Sequence, residues 1–195
     1  MRIRHVPAVT LLVASAAAVA SHVDSMYPTA NYNPSCTDGS MGSTFCQTDN
    51  ATLTVFREGS LTSTGKSNIA YVLNNEYNVT DLNVSYPSTP SYSGDAETDI
   101  IYQQRSDVPS NLDGIAWCND AVTSVRCDQH YNAFRSSSPG RAISCHETGH
   151  AVGLTHGANA SPSISQTDSS LACMQTPTPT GDLGAHNTNL INATY

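Results

Sequence analysis

The sequence is poor in charged residues, and basic residues are the scarcer kind. Only 12% of the 195 residues are Asp, Glu, Lys or Arg, and 8 basic against 16 acidic side chains give a formal net charge of −8. Proteins that bind nucleic acid need a basic surface to displace counterions from phosphates. Docking on anionic lipid also depends on basic residues. The composition therefore argues against nucleic-acid and membrane partners.

Several motifs are also missing, and each absence narrows the function. The sequence contains no CxxC pair, which argues against a redox enzyme or a zinc ribbon. It contains no GxSxG elbow, so serine hydrolysis has no support. Beyond residue 20, no apolar run is long enough to cross a bilayer.

The one long apolar run lies at the N-terminus, over residues 6–19. Two arginines precede it, and Ala18-Val19-Ala20 lies at its C-terminal end. A basic start, an apolar stretch and a small-x-small site are typical of a secretory signal peptide. We predict that residues 1–20 are a signal peptide, cleaved after Ala20, and that the protein is secreted and extracellular. The alternative is an uncleaved membrane anchor, for which the run is short.

All six cysteines lie beyond the predicted signal peptide, and their number is even. In an oxidising compartment such a set indicates disulfides before it indicates metal ligation. Six cysteines allow fifteen connectivities. We favour pairing between nearest neighbours, which joins Cys36 to Cys46, Cys118 to Cys127 and Cys145 to Cys173.

Hydrophobic periodicity predicts an N-terminal arm over residues 21–49 and an α+β domain over residues 50–195. The arm is rich in Ser, Thr, Asn, Gly and Pro, and strand patterns follow at 51–57, 82–86, 98–103, 114–118 and 127–134. An amphipathic helix is predicted at 66–77, and a second helix with Ser138 as N-cap and Pro139 in its first turn. This order predicts a twisted mixed β-sheet backed by two main helices.

The most informative segment is HETGHAVGLTHG, residues 146–157, at the end of the second predicted helix. On a helix, His146 and His150 lie about 40° apart on one face, so both imidazoles can bind one ion. Glu147 lies beside that face, where a carboxylate can hold a metal-bound water. His156 could not reach the same ion if the helix continued, but Gly153 can adopt the left-handed conformation that ends a helix.

His146, Glu147, His150, Gly153 and His156 complete the pattern HExxHxxGxxH, and in this the chain resembles the metzincin zinc endopeptidases. The resemblance implies a metzincin-like zincin fold with a Met-turn after the active-site helix and a short C-terminal helix. It implies one catalytic Zn²⁺ bound by the three histidines, with Glu147 as general base. Met174 is the candidate Met-turn residue, and a Cys145–Cys173 bond would join the active-site helix to that turn.

Within this family the chain is matrixin-like, because Thr176 stands where astacin- and serralysin-type enzymes carry a tyrosine. The resemblance places the substrate-pairing edge strand at 114–118 and the wall of the side-chain pocket at 176–180. The chain has no PRCGxPD-type cysteine switch, so matrixin-type latency does not carry over. Ca²⁺ is possible but unsupported, since Asp107, Asp113 and Asp120 have no calcium-loop spacing.

The sequence therefore predicts a secreted, monomeric zinc endopeptidase that acts on protein or peptide substrates. Two alternatives remain at this point. One is a non-catalytic secreted module that binds zinc, against which Glu147 argues because a structural site has no use for a base. The other is a zinc hydrolase of a non-peptide substrate.

Overall fold

A computed structural model describes residues 22–39, 41, 44–94 and 96–195, and the predicted signal peptide lies outside them. Within this part of the chain no helix is both long and apolar enough to span a membrane. The strands are β1 (Gln47–Thr48), β2 (Thr52–Arg57), β3 (Asn83–Ser85), β4 (Ile100–Gln104), β5 (Gly114–Ala121) and β6 (Arg126–Phe134). The helices are α1 (Ser63–Val72), α2 (Arg141–Ala151) and α3 (Gly184–Thr194), with short 3₁₀ turns at Gly157–Asn159 and Ser169–Met174.

The six strands form one mixed sheet. Hydrogen-bonded neighbours follow the path β1-β6-β4-β2-β3, and β5 pairs with β6 outside this path. Every pair in that path is parallel, and β5 alone runs antiparallel to its neighbour. The predicted mixed sheet is therefore confirmed in general form, and the arrangement of strands and helices is compatible with the α+β class. β5 lies at the edge of the sheet, with β6 as its strand partner on one side.

Helix α1 begins three residues earlier than the periodicity predicts, because Thr62 caps it. The Thr62 side chain accepts a hydrogen bond from Gly65 N–H, which satisfies a donor that the first turn leaves free. The predicted end at residue 77 agrees with the structure, but the last stretch, Leu73–Tyr77, is π-helical. Tyr77 is fully buried there and donates a hydrogen bond from its hydroxyl to Cys145 O, 2.7 Å away, which ties α1 to α2.

The predicted start of α2 is wrong by two residues. Its N-cap is Gly140 instead of Ser138, and Pro139 lies before the helix. The reason is a tertiary contact, since the Ser138 hydroxyl forms a hydrogen bond with the Thr62 hydroxyl and Pro139 O accepts one from Asn68 Nδ2. These two bonds hold residues 138 and 139 against Thr62 and Asn68. Helix α2 therefore begins only after residue 139.

The main core lies between the sheet and the helices. It includes β-strand residues such as Leu53, Val55 and Ile100, together with Val72 of α1 and Met174. All three disulfides join the nearest-neighbour pairs predicted from the sequence, Cys36–Cys46, Cys118–Cys127 and Cys145–Cys173. The third bond links α2 to the 3₁₀ turn that carries Met174.

The described part of the predicted arm packs along the domain and is anchored at several places. Asp24 and Ser161 exchange a pair of backbone hydrogen bonds, and Tyr27 N–H donates to Gly153 O over 2.7 Å. The Tyr27 side chain is buried, and its hydroxyl donates to Ser124 O over 3.0 Å. The arm therefore crosses the segment that follows α2, which is where the third predicted metal ligand lies.

Candidate metal centre

The structure brings the three predicted histidine ligands to one point. His146 and His150 lie one turn apart on α2, and the chain then reverses at Gly153, whose φ of +94° is the left-handed conformation predicted there. The reversal returns His156 to the same point. The Nε2 atoms of the three rings are separated by 3.1 Å in each of the three pairs.

Backbone carbonyls fix the tautomers of two rings. The Nδ1 atom of His146 lies 2.8 Å from Cys173 O, and that of His150 lies 2.8 Å from Leu154 O. A carbonyl oxygen only accepts, so each Nδ1 carries the proton and each Nε2 presents a lone pair. Two lone pairs that face each other across 3.1 Å repel unless a cation lies between them. The two Nε2 atoms therefore do not share a hydrogen bond, and both lone pairs could point at one cation.

The electrostatic environment keeps all three rings neutral, which is the form that binds a metal. Burial, with a contribution from His156, lowers the pKa of His146 to about 4. Burial, followed by the two neighbouring rings, lowers the pKa of His150 well below its ordinary value. Burial also lowers the pKa of His156.

The donor set fits zinc. Zinc binds histidine nitrogen at about 2.0–2.1 Å, and tetrahedral angles then place ligand nitrogens about 3.3 Å apart. The observed separation of 3.1 Å is close to this value. Three neutral imidazoles leave one coordination position open, as in catalytic zinc sites, whereas structural sites have four protein ligands.

Glu147 lies next to the tripod and lines the same cleft. Only 3% of its surface is exposed, and burial raises the pKa of its carboxyl to about 8. Among the described residues none forms a hydrogen bond or an ion pair with this carboxylate. The side chain packs on Gly114 at the start of β5, where a Cβ atom would come within 2.8 Å of Glu147 Cγ. A glycine at 114 is therefore what allows the carboxylate to lie there.

Met174, the predicted Met-turn residue, is fully buried and packs against α2 at Gly149. A Cβ atom at Gly149 would collide with Met174 Sδ, so the helix needs a glycine at this point. The Cys145–Cys173 bond and the hydrogen bond from Asn187 Nδ2 to Leu171 O hold the turn in place from either side.

A cleft of about 1020 Å³ contains the tripod and Glu147 in its wall. Other parts of the wall come from residues 111–116, which include the first three residues of β5, from the start of α2 and the residues before it, from residues 176–178, and from the arm residues Tyr32 and Phe45. Residues 176–180 were predicted to wall the side-chain pocket; residues 176–178 line the cleft, and residues 179 and 180 are not among its lining. Beyond its first half β5 is covered by the arm, since Gly39 N–H donates to Cys118 O and Asp38 accepts from Ala121 N–H.

The aspartates considered for calcium do not come together. Asp107 forms an ion pair with Arg105, and Asp113 forms one with Arg135. A different set, Asp49, Asp99 and Asp128, has carboxylate oxygens within 4.8 Å of one another. These three residues come from separate strands or strand ends, and nothing in their spacing along the sequence predicts the cluster.

Three residues of the site were missed by sequence reasoning. Gly149 had a signal, because a glycine inside a helix is unfavourable and suggests a packing requirement. Gly114 and Phe45 had none, because each acts through contact with a residue far along the chain.

Comparisons with models of protein families and with curated proteins return no match for this chain. The geometry of this site is therefore the basis for the function proposed below.

Proposed function

We propose that the protein is a secreted zinc-dependent endopeptidase, similar to the matrixin-like metzincins. The observation that carries the proposal is the group of three convergent Nε2 atoms, each 3.1 Å from the other two, beside a buried carboxylate that has no hydrogen-bond or ion-pair partner among the described residues. A purely structural metal site would not need the carboxylate. The packing of Met174 beneath α2 supports the comparison with metzincins.

The histidines of the site would hold the ion, and Glu147 would move the proton. A bound zinc ion supplies a Lewis acid for the substrate carbonyl and lowers the pKa of water to about 7. Glu147 accepts a proton from the attacking water as its oxygen bonds to the peptide carbon. The carboxyl then donates that proton to the departing amine nitrogen as the C–N bond breaks. The positive charge of an ion held by the three histidines would favour the ionised carboxylate, which is the form that accepts a proton.

The free side of β5 would bind the substrate as an additional strand. Gly114, Ile115 and Ala116 line the cleft beside Glu147, and an extended peptide there gains main-chain hydrogen bonds that do not depend on its sequence. The contact between Gly39 and Cys118 ends the open edge after only a few residues. This arrangement suits a short extended segment of a protein substrate.

The test of the proposed function is casein hydrolysis by the purified protein. We expect hydrolysis that 1,10-phenanthroline abolishes, that added Zn²⁺ restores, and that the non-chelating 1,7-isomer leaves unchanged. Hydrolysis that survives the chelator would contradict the proposal. A protein that binds one equivalent of zinc but cleaves neither casein nor gelatin would instead be a non-catalytic zinc-binding module.

Gly114→Ala is predicted to damage the position of Glu147 without disturbing the metal. The new methyl group would lie 2.8 Å from Glu147 Cγ and 2.9 Å from Oε1, so the carboxylate has to move. A displacement of about 1 Å in a reacting group can cost about 100-fold in rate. We expect kcat for a peptide substrate to fall by about this factor while the zinc content stays at one equivalent.

Gly59→Ala is the matched control for this variant, because a Cβ atom at Gly59 meets nothing within 4 Å. It should leave kcat unchanged. A Gly114→Ala protein with the parent kcat would show that the carboxylate does not need its observed position.

A further inference from the structure

The three candidate ligands are not held equally. The Nδ1 atoms of His146 and His150 each have a carbonyl partner, which sets the orientation of the ring. Among the described residues, none forms a hydrogen bond with the His156 imidazole apart from the other two ligands. A metal ligand normally has such a partner on its second nitrogen, and loss of the partner weakens metal binding. Something else must therefore orient the third ring.

The side chain in that position is Phe45 of the arm. Its ring stacks on His150, with centroids 4.0 Å apart and planes 10° apart. It also meets the His156 ring edge to face, with centroids 5.6 Å apart and planes at 71°. One aromatic ring therefore contacts two candidate ligands at once, one by stacking and one edge to face.

Phe45 is itself held in place by the buried residue that follows it and by the ring of Tyr32. The next residue, Cys46, is fully buried and bonded to Cys36, and its carbonyl contacts His130 Nε2 at 3.1 Å. Tyr32 packs on the Phe45 ring, with centroids 5.6 Å apart. The ring consequently has little freedom to move away from the histidines.

The same arm also holds the backbone on both sides of His156. Before it, Thr155 N–H donates to Ser25 O over 2.8 Å. After it, Ala160 O accepts a hydrogen bond from Asn31 Nδ2 over 2.6 Å. The arm thus fixes the loop that carries the third ligand as well as contacting its ring.

We propose that Phe45 is a positioning residue of the metal centre, which orients the imidazoles of His150 and His156 for a common ion through its ring contacts. The residue contacts no metal itself and takes no part in the chemistry. The inference rests on the proposed function only through the zinc site, and it does not require that the protein cleave peptides.

The test measures zinc affinity by competition with a chromogenic chelator. For Phe45→Ala we expect zinc binding to weaken by about tenfold or more, the range seen when a ligand loses its orienting partner. Phe45→Tyr keeps the ring and should bind zinc as the parent does. Phe45→Leu keeps apolar volume without a flat ring and should be weakened like the alanine variant. Tyr92→Ala, an exposed aromatic residue outside the cleft, should have no effect.

The visible spectrum of the Co²⁺-substituted protein gives a second readout, because its band positions report ligand geometry. They should shift for Phe45→Ala and Phe45→Leu but not for Phe45→Tyr. Phe45→Ala with the parent zinc affinity would overturn the proposal. If that variant does not fold, Phe45→Leu that binds zinc as tightly as Phe45→Tyr would overturn it equally.

These outcomes separate the inference from the proposed function. A protein that binds zinc in a Phe45-dependent manner and cleaves nothing would contradict the peptidase and support the positioning role. An active zinc peptidase whose zinc affinity does not depend on Phe45 would contradict the positioning role alone.

Discussion

Glu147→Gln is expected to reduce peptide hydrolysis by about 10³-fold, with the zinc content unchanged. Glutamine has the size and shape of glutamate, but its amide cannot accept the proton of the attacking water. General acid–base catalysis contributes about 10²–10⁴-fold. Two carboxylates among the described residues line the cleft, Asp113 and Glu147, and Asp113 is exposed and paired with Arg135, whereas Glu147 is buried and follows a candidate ligand directly in α2. The rate is measured with a fluorogenic peptide, and the zinc content by atomic absorption.

Glu58→Gln serves as the matched control, since Glu58 follows β2 and does not line the cleft. It should hydrolyse the peptide at the parent rate. If Glu147→Gln retained most of the parent kcat, the role of Glu147 as general base would be wrong. If it lost zinc as well as activity, the carboxylate would have a part in binding the ion that the geometry does not suggest.

Zinc is expected to stabilise the fold strongly. The three imidazoles converge on one point only in the folded chain, so the ion binds the folded form far better than the unfolded form. Free zinc at about 1,000 times its dissociation constant adds about 4 kcal/mol to the free energy of unfolding. For a domain of this size each kcal/mol raises Tm by about 2–4 °C, which gives an increase of about 8–16 °C. Differential scanning calorimetry of the stripped and the zinc-loaded protein measures this shift.

His150→Ala should remove that shift and abolish hydrolysis together. His150 is buried, 4% exposed, and its loss leaves two ligands. We expect zinc affinity to fall by more than the roughly 10–100-fold that loss of a ligand's hydrogen-bond partner costs. His22→Ala, which removes an exposed histidine outside the cleft, is the control and should keep the full shift. A His150→Ala protein that zinc stabilises as much as the parent would contradict the assigned ligand set.

The sequence predicted the parts of the structure that depend on local pattern. Alternation of apolar residues placed β2, because a strand with one buried face has a period of two, and a continuous apolar run placed β4, which is buried on both faces. Both predictions lie within two residues of the observed ends. The motif spacing placed all three histidines, because a helix turn and a glycine reversal fix their relative positions within eleven residues. Nearest-neighbour pairing of the cysteines was also correct.

The sequence could not predict what depends on contacts between distant segments. The observed start of α2 differs from the predicted one because Ser138 contacts Thr62, the N-cap of another helix. The arm had no periodicity to interpret, yet it supplies the Phe45 ring that stacks on His150, roughly a hundred residues further along the chain. Gly114 contacts Glu147 only because β5 packs beside α2. Such pairs follow from the assembled topology and leave no trace in any short window of residues.

If the protein is the peptidase proposed above, the bond between Cys145 and Cys173 would hold its chain together after a cut by another copy. The segment 157–172 that it spans contains many exposed residues, so another copy of the enzyme can reach it. A single cut there would divide the chain after the last histidine ligand and before Met174, but the sulfur bridge would keep the two fragments attached. Autolysis at this loop would therefore yield a nicked molecule that migrates as one species until it is reduced.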